Sequence, residues 1–147
     1  MRTYPDRPWV GIGVVVHRGE EILLIKRAKE PNKGIWSLPG GAQHVGETVF
    51  DGAAREVLEE TAIYIKDPQF IDCVDSIHTD EDGRVKYHYT LIEVSCLYDH
   101  GGLKALDDAA AARWVPYSKL GEYDLPAFTQ RVIDLSYRSR KASLTEE

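Results

Sequence analysis

Long apolar runs are missing from this chain. No stretch reaches the roughly 18 residues that a membrane-spanning helix needs, so no such span is expected. Cysteine is scarce, with only Cys73 and Cys96 present. Both sit in apolar strand-like runs, the pattern of free buried thiols in a reducing cytosol. Positive charge is in deficit, 18 Lys and Arg against 24 Asp and Glu, a net charge of −6. That balance argues against a non-specific nucleic-acid binder, which would carry basic stripes. The first ten residues, MRTYPDRPWV, lack the apolar stretch and cleavage site of a signal peptide, so a cytoplasmic protein is expected. There is no repeat, low-complexity tract or internal linker. At 147 residues, the chain has room for one domain with a sizeable core, spanning 1–147.

What is present is concentrated in residues 41–63, GAQHVGETVFDGAAREVLEETAI. Glu56, Glu59 and Glu60 fall at i, i+3 and i+4, which stacks three carboxylates on one helical face. Packed like charges destabilise a helix unless something positive lies among them. A hard divalent cation that prefers oxygen ligands, Mg²⁺ above all with Mn²⁺ as substitute, is the natural partner. Such ions also let an acidic protein take a polyphosphate. Arg55 and Glu47 are spaced so that the arginine can reach back and pin the loop to the helix. Gly40 and Gly41 permit a tight turn with an open backbone. Thr48, three residues before Asp51, starts a helix expected over Thr48–Thr61.

The segment resembles the Nudix box, G-x5-E-x7-R-E-U-x-E-E-x-G-U, where U is aliphatic. Every fixed position matches except Ala62, which stands where the family has glycine. The approach Trp36-Ser37-Leu38-Pro39-Gly40-Gly41 is similar to the family's as well. The resemblance implies an α/β fold, the Nudix αβα sandwich with a mixed β-sheet flanked by helices. It implies the Arg55–Glu47 ion pair, with Gly41, Glu47 and Arg55 structural in the motif. It also implies metal ligands at Glu56, Glu59, Glu60 and the Gly40 carbonyl, Glu56 being either ligand or base. The implied reaction is hydrolysis of a nucleoside diphosphate linked to another moiety, at the pyrophosphate. In many members the base comes from a later loop, which here is Gly101–Ala112. Asp107, seven residues before Trp114, is its candidate, the alternative being a polar loop tip. A left-handed turn at Ala62 would cost roughly 1 kcal/mol, whereas a different helix ending would avoid it.

Along the rest of the chain, residues 1–8 read as an extended or flexible arm. Trp9–His17 and Glu21–Arg27 alternate as strands around a turn. Gln69–His78 and Arg84–Leu97 read as two long strands joined by a turn containing Asp82-Gly83. Arg113–Pro116 is a short strand, Leu125–Tyr137 an amphipathic helix, and residues 139–147 a frayed tail. Further substrate contacts fall on Arg27, which either meets a phosphate or is surface charge, on Trp36, which either stacks a base or braces the loop, and on Gly41. Glu93 reads as a residue of the sheet surface.

The stretches Arg84–Val94 and Ala112–Pro116 look like those of small bacterial ADP-ribose-pyrophosphatase-type Nudix proteins. ADP-ribose or an ADP-sugar is therefore the favoured small-molecule nucleotide substrate. A MutT-type hydrolase of normal or oxidised nucleoside triphosphates is the alternative. A Nudix domain that senses nucleotides without cleaving them is a third reading, disfavoured by the full set of carboxylates. A homodimer is implied by resemblance, with no nucleic-acid or membrane partner.

Overall fold

In a computed structural model, residues 2–30 and 32–145 are described, residues 142–145 by backbone alone. The elements run β1 (Trp9–Arg18), β2 (Glu21–Arg27), β3 (Trp36–Ser37), β4 (Gly40–Ala42), α1 (Val49–Thr61), β5 (Tyr64–Thr79), β6 (Val85–His100), β7 (Ala109–Pro116), a 3-10 helix (Tyr117–Tyr123) and α2 (Ala127–Thr145). The seven strands form one mixed sheet in the order β3-β2-β1-β6-β5, with β4 beside β1 and β7 beside β2. Among the described residues only β1 and β6 pair in parallel, from Trp9↔Tyr89 to His17↔Leu97.

The alternation in β1 explains the two layers, because successive strand residues face opposite sides. Ile12, Val14 and Val16 pack with Leu23, Val94, Ala53 and Val57 under α1. Val15 packs with Ile22, Leu24, Val115, Val132 and Ile133 under α2. Two helices thus cover a two-sided sheet, which is the αβα sandwich.

Between the layers β1 and β2 part company soon after their hairpin, pairing only at His17↔Ile22 and Arg18↔Glu21. The segment 36–42 fills the split: Trp36 and Ser37 pair with β2, and Gly40, Gly41 and Ala42 pair with β1. A Cβ on Gly40 would run into the Ile12 carbonyl, so this close strand approach requires glycine. The crossing delivers the Gly40-Gly41 turn to the edge of α1.

Several expectations need correction. The tail is not frayed over 139–145, because α2 continues to Thr145; residues 146 and 147 lie outside the described residues. Arg140 on that extension is bound to Asp67 Oδ2 at 3.0 Å and to the Ser95 carbonyl at 3.0 Å, which holds the added turn to the sheet. The arm is tethered: the Tyr4 N–H donates to the Lys86 carbonyl at 2.8 Å and its hydroxyl to Asp80 at 3.0 Å. Strand β5 begins five residues early and passes Pro68 through a bulge, with Asp67 at φ 54. A proline is tolerated there because β5 is an edge strand. Cys73 is exposed rather than buried, while Cys96 is buried, and both are free. Among the described residues no helix is long and apolar enough to cross a membrane.

Helix α1 begins as expected, with the Thr48 hydroxyl accepting from the Asp51 N–H at 3.1 Å. Its end goes the costly way: Ala62 is left-handed, φ 62 and ψ 19, and its N–H closes onto the Leu58 carbonyl at 3.0 Å. Ala62→Gly is therefore expected to raise unfolding stability by about 1 kcal/mol, read from the midpoint of a urea titration. An unchanged or lowered midpoint would contradict the strain assigned to this turn.

Candidate active site

Arg55 projects from the middle of α1 and uses all five of its N–H donors. Its Nε donates to Glu47 Oε2 at 2.9 Å and its Nη2 to Glu47 Oε1 at 2.7 Å. The Nη2 also reaches the Ala42 carbonyl at 3.0 Å. Its Nη1 donates to Glu56 Oε1 at 2.8 Å and to Glu59 Oε2 at 3.2 Å. The planar fork suits this bidentate geometry, which a lysine ammonium cannot reproduce. Glu47 in turn accepts from the His44 N–H at 2.8 Å, so the box loop is folded around one carboxylate. The Arg55 hydrogen bonds and the His44 N–H hold Glu47 far below the ordinary carboxylate range, at about 2.

The three helix carboxylates share a face but differ in surroundings. Glu56 is buried and its carboxyl lies against Gly41, where any Cβ would collide with it. Glu60 is buried too, and its Oε2 accepts from the Gly40 N–H at 3.4 Å. Burial, and then the charge of neighbouring Glu56, push the Glu60 carboxyl up to about 8, with Gly40 and Arg27 acting the other way. Glu59 turns outward, its side chain 45% exposed. Among the described residues, no three acidic, histidine or cysteine side chains close into a metal-holding cluster, because Arg55 stands between Glu56 and Glu59. The donor set nonetheless fits a hard cation. Two crowded, buried carboxyls beside a glycine turn, with a third at the rim, offer only oxygen ligands.

The other expected residues are placed as follows. Arg27 ends β2 and its charge acts on Glu60. Trp36 is half-buried at the β2 edge, packed on the α2-side core. Asp107 is exposed at φ 54 in a loop that is fixed to the end of α1. The Lys104 and Leu106 N–H groups donate to the Thr61 and Glu60 carbonyls at 3.0 and 2.8 Å. Neighbouring Asp108 pairs with Lys29 at 2.8 Å.

Glu93 corrects the reading of it as surface. It is 3% exposed, lies over Gly13 on the α2 side, and has an Oε2 without a hydrogen-bond partner. Burial, then the Asp72 charge, raise it to about 7. The signal for this was the glycine at 13, since a bare backbone on the neighbouring strand leaves room for a buried acid. His17, also unexpected, is buried with Nε2 at 2.6 Å from the Ser136 hydroxyl, and burial lowers it to about 4.

An α/β sandwich carrying an acidic helix face, clamped by arginine against a glycine turn, defines the class. The profile of the NUDIX domain matches residues 7–135, and the chain belongs to that family. It is 34% identical over 113 residues to an ADP-ribose pyrophosphatase of Methanocaldococcus jannaschii, covering 77% of this chain. The match spans 64% of that relative's length. The crystal structure of a MutT NUDIX hydrolase from Burkholderia pseudomallei superposes with a TM-score of 0.74 at 27% identity, covering 88% of this chain and 98% of the other. The NUDIX domain of Shewanella oneidensis NrtR, solved with ADP ribose, reaches 0.75 at 18% identity, covering 92% and 90%, which speaks to the fold alone.

Glu47→Gln removes the carboxylate that Arg55 grips from two sides. It is expected to cost about 2 kcal/mol of stability at pH 7, measured by chemical denaturation. Because the folded value lies below the ordinary 4.5, the wild-type contribution is present above 4.5 and lost as the pH falls toward about 2. A variant as stable as wild type at pH 7 would show that this pair is ornamental.

Proposed function

We propose that the protein hydrolyses the pyrophosphate bond of a nucleoside diphosphate linked to a second moiety, with Mg²⁺ as cofactor and ADP-ribose or an ADP-sugar as substrate. From ADP-ribose the products are AMP and ribose 5-phosphate. The observation that carries this reading is the pair of buried carboxyls, Glu56 and Glu60, crowded beside the Gly40-Gly41 turn. Glu56, Glu59, Glu60 and the Gly40 carbonyl would hold the cation. When bound, it neutralises charge on the phosphate oxygens and makes water a better nucleophile.

The chain's own groups do the positioning. Arg55 fixes the Glu56 and Glu59 side chains and ties α1 to β4 through Ala42. Arg27, beside Glu60, is suited to orient a phosphate oxygen. Water attacks phosphorus, the bridging P–O bond breaks, and a carboxylate takes the proton. Asp107 is favoured for that role over Glu56, because Glu56 already accepts from Arg55 while Asp107 stands exposed on a loop fixed to the end of α1. The ADP-ribose preference draws on the Methanocaldococcus jannaschii relative. Likeness to the Burkholderia pseudomallei MutT structure supports the nucleoside triphosphate alternative.

A panel of ADP-ribose, ADP-sugars, NADH and normal and oxidised nucleoside triphosphates, assayed with and without Mg²⁺, tests the substrate and the cofactor together. Mg²⁺-dependent release of AMP from ADP-ribose is expected to dominate. Glu59→Gln is expected to lower turnover about 10²-fold or more. Hydrolysis at the wild-type rate by this variant would remove Glu59 from the machinery, and binding without any turnover by the wild type would make the domain a sensor.

A further inference from the structure

Strand register lines up Asp72 on β5, Glu93 on β6 and Gly13 on β1 in one row across the sheet. Gly13 shares the face of Val15, which packs under α2, so the gap left by its missing side chain opens toward that helix. The Glu93 carboxyl fills the gap, since a Cβ on Gly13 would collide with it. Helix α2 is fastened on either side of this spot. Arg131 Nη1 donates to Asp72 Oδ2 at 2.7 Å. The Ser136 hydroxyl donates to the Ser95 hydroxyl at 2.7 Å, two residues along β6 from Glu93.

A carboxyl is ill-suited to filling space here. An aliphatic side chain would occupy the gap at no electrostatic cost, whereas a carboxyl at 3% exposure with Oε2 unpaired weakens the fold. The neighbouring charges make an anion costlier still. From β5 comes Asp72, whose carboxyl the Arg131 hydrogen bond holds below the usual carboxylate range. The cation that α2 brings to this row, Arg131, is engaged by Asp72. On β1, His17 lies four residues on and meets the Ser136 hydroxyl, while Arg140 of α2 is bound to Ser95 and Asp67. Two carboxyls therefore share one guanidinium and one proton.

We propose that Asp72, Glu93 and Arg131 form a proton-controlled latch for the N-terminal half of α2. It is closed while Glu93 holds a proton and Arg131 bonds Asp72, and it opens when Glu93 ionises and competes for that arginine. The C-terminal half stays down, because Ser136, Ser95, Arg140 and His17 hold it, and burial keeps His17 neutral down to about 4. The latch does not depend on the chemistry assigned to the acidic face. Burial, then the Asp72 charge, lift Glu93 from the ordinary 4.5 to about 7. An acid raised in this way stabilises the closed form fully below 4.5 and loses that contribution as the pH climbs through about 7. With those two values for the exposed and the covered carboxyl, opening becomes about tenfold easier between pH 6 and pH 8.

The test is amide hydrogen exchange in the intact protein without metal or substrate, corrected for the intrinsic effect of pH on exchange. Protection of the amides at 131–135 is expected to fall about tenfold between pH 6 and pH 8. The Arg131 side-chain Nε–H resonance should move along a curve centred near 7. In Glu93→Gln, which fills the gap and cannot ionise, protection should stay constant and the Arg131 resonance should stay still. Wild-type protection that ignores pH, an unmoved Arg131 resonance, or an equal fall in the variant would each overturn the latch. The carbon resonance of the Glu93 carboxyl gives a reading that needs no variant. A midpoint near 7 is expected there, and one at or below 4.5 would overturn the proposal.

Discussion

Arg55 is the residue on which the site depends. Its guanidinium touches three carboxylates and a strand carbonyl, joining the box loop, helix α1 and β4 through a single planar group. Without a positive charge at that point, Glu47, Glu56 and Glu59 would repel one another and the loop would lose its anchor. With it, the acidic face is divided. Glu47 and the inner edges of Glu56 and Glu59 belong to the arginine, while Glu60 takes its hydrogen bond from the Gly40 N–H.

The sheet provides the second constraint. Because β1 and β2 separate after two residue pairs, the chain can cross the opening between them and bring a glycine turn up to α1. Glycine on this path has definite steric reasons, strictest at Gly40, where the obstacle is backbone. A side chain at Gly40 would strike the Ile12 carbonyl, and one at Gly41 would strike the Glu56 carboxylate. The same split leaves Trp36 at the rim of the α2 face. One crossing segment of seven residues therefore runs from that rim to the acidic box.

Local signals carried much of this in the sequence. The i, i+3, i+4 carboxylates, the Thr48 cap and the alternation of β1 and β2 need only neighbouring residues to be read, and they match the structure closely. What was not legible depends on partners distant in sequence. The run Ala109–Ala112 has no strand character of its own, yet it pairs with β2 and extends β7 by four residues. The strands at 36–37 and 40–42 are too short to announce themselves, with Pro39 between them and two glycines in the second, and exist because an open edge receives them. Glu93 looked like surface because nothing near it in the chain shows that Gly13 lies alongside. At Ala62 the pattern posed two helix endings, and the structure takes the strained one.

We propose that Arg55 and a divalent cation divide the acidic face between them. Titration of the wild-type protein with Mn²⁺, followed by electron paramagnetic resonance of the free ion, tests this directly. Saturable binding is expected, weakening at least about tenfold in Glu60→Gln while the variant remains folded by circular dichroism. Binding that is absent from the wild type, or unaffected by loss of Glu60, would contradict it.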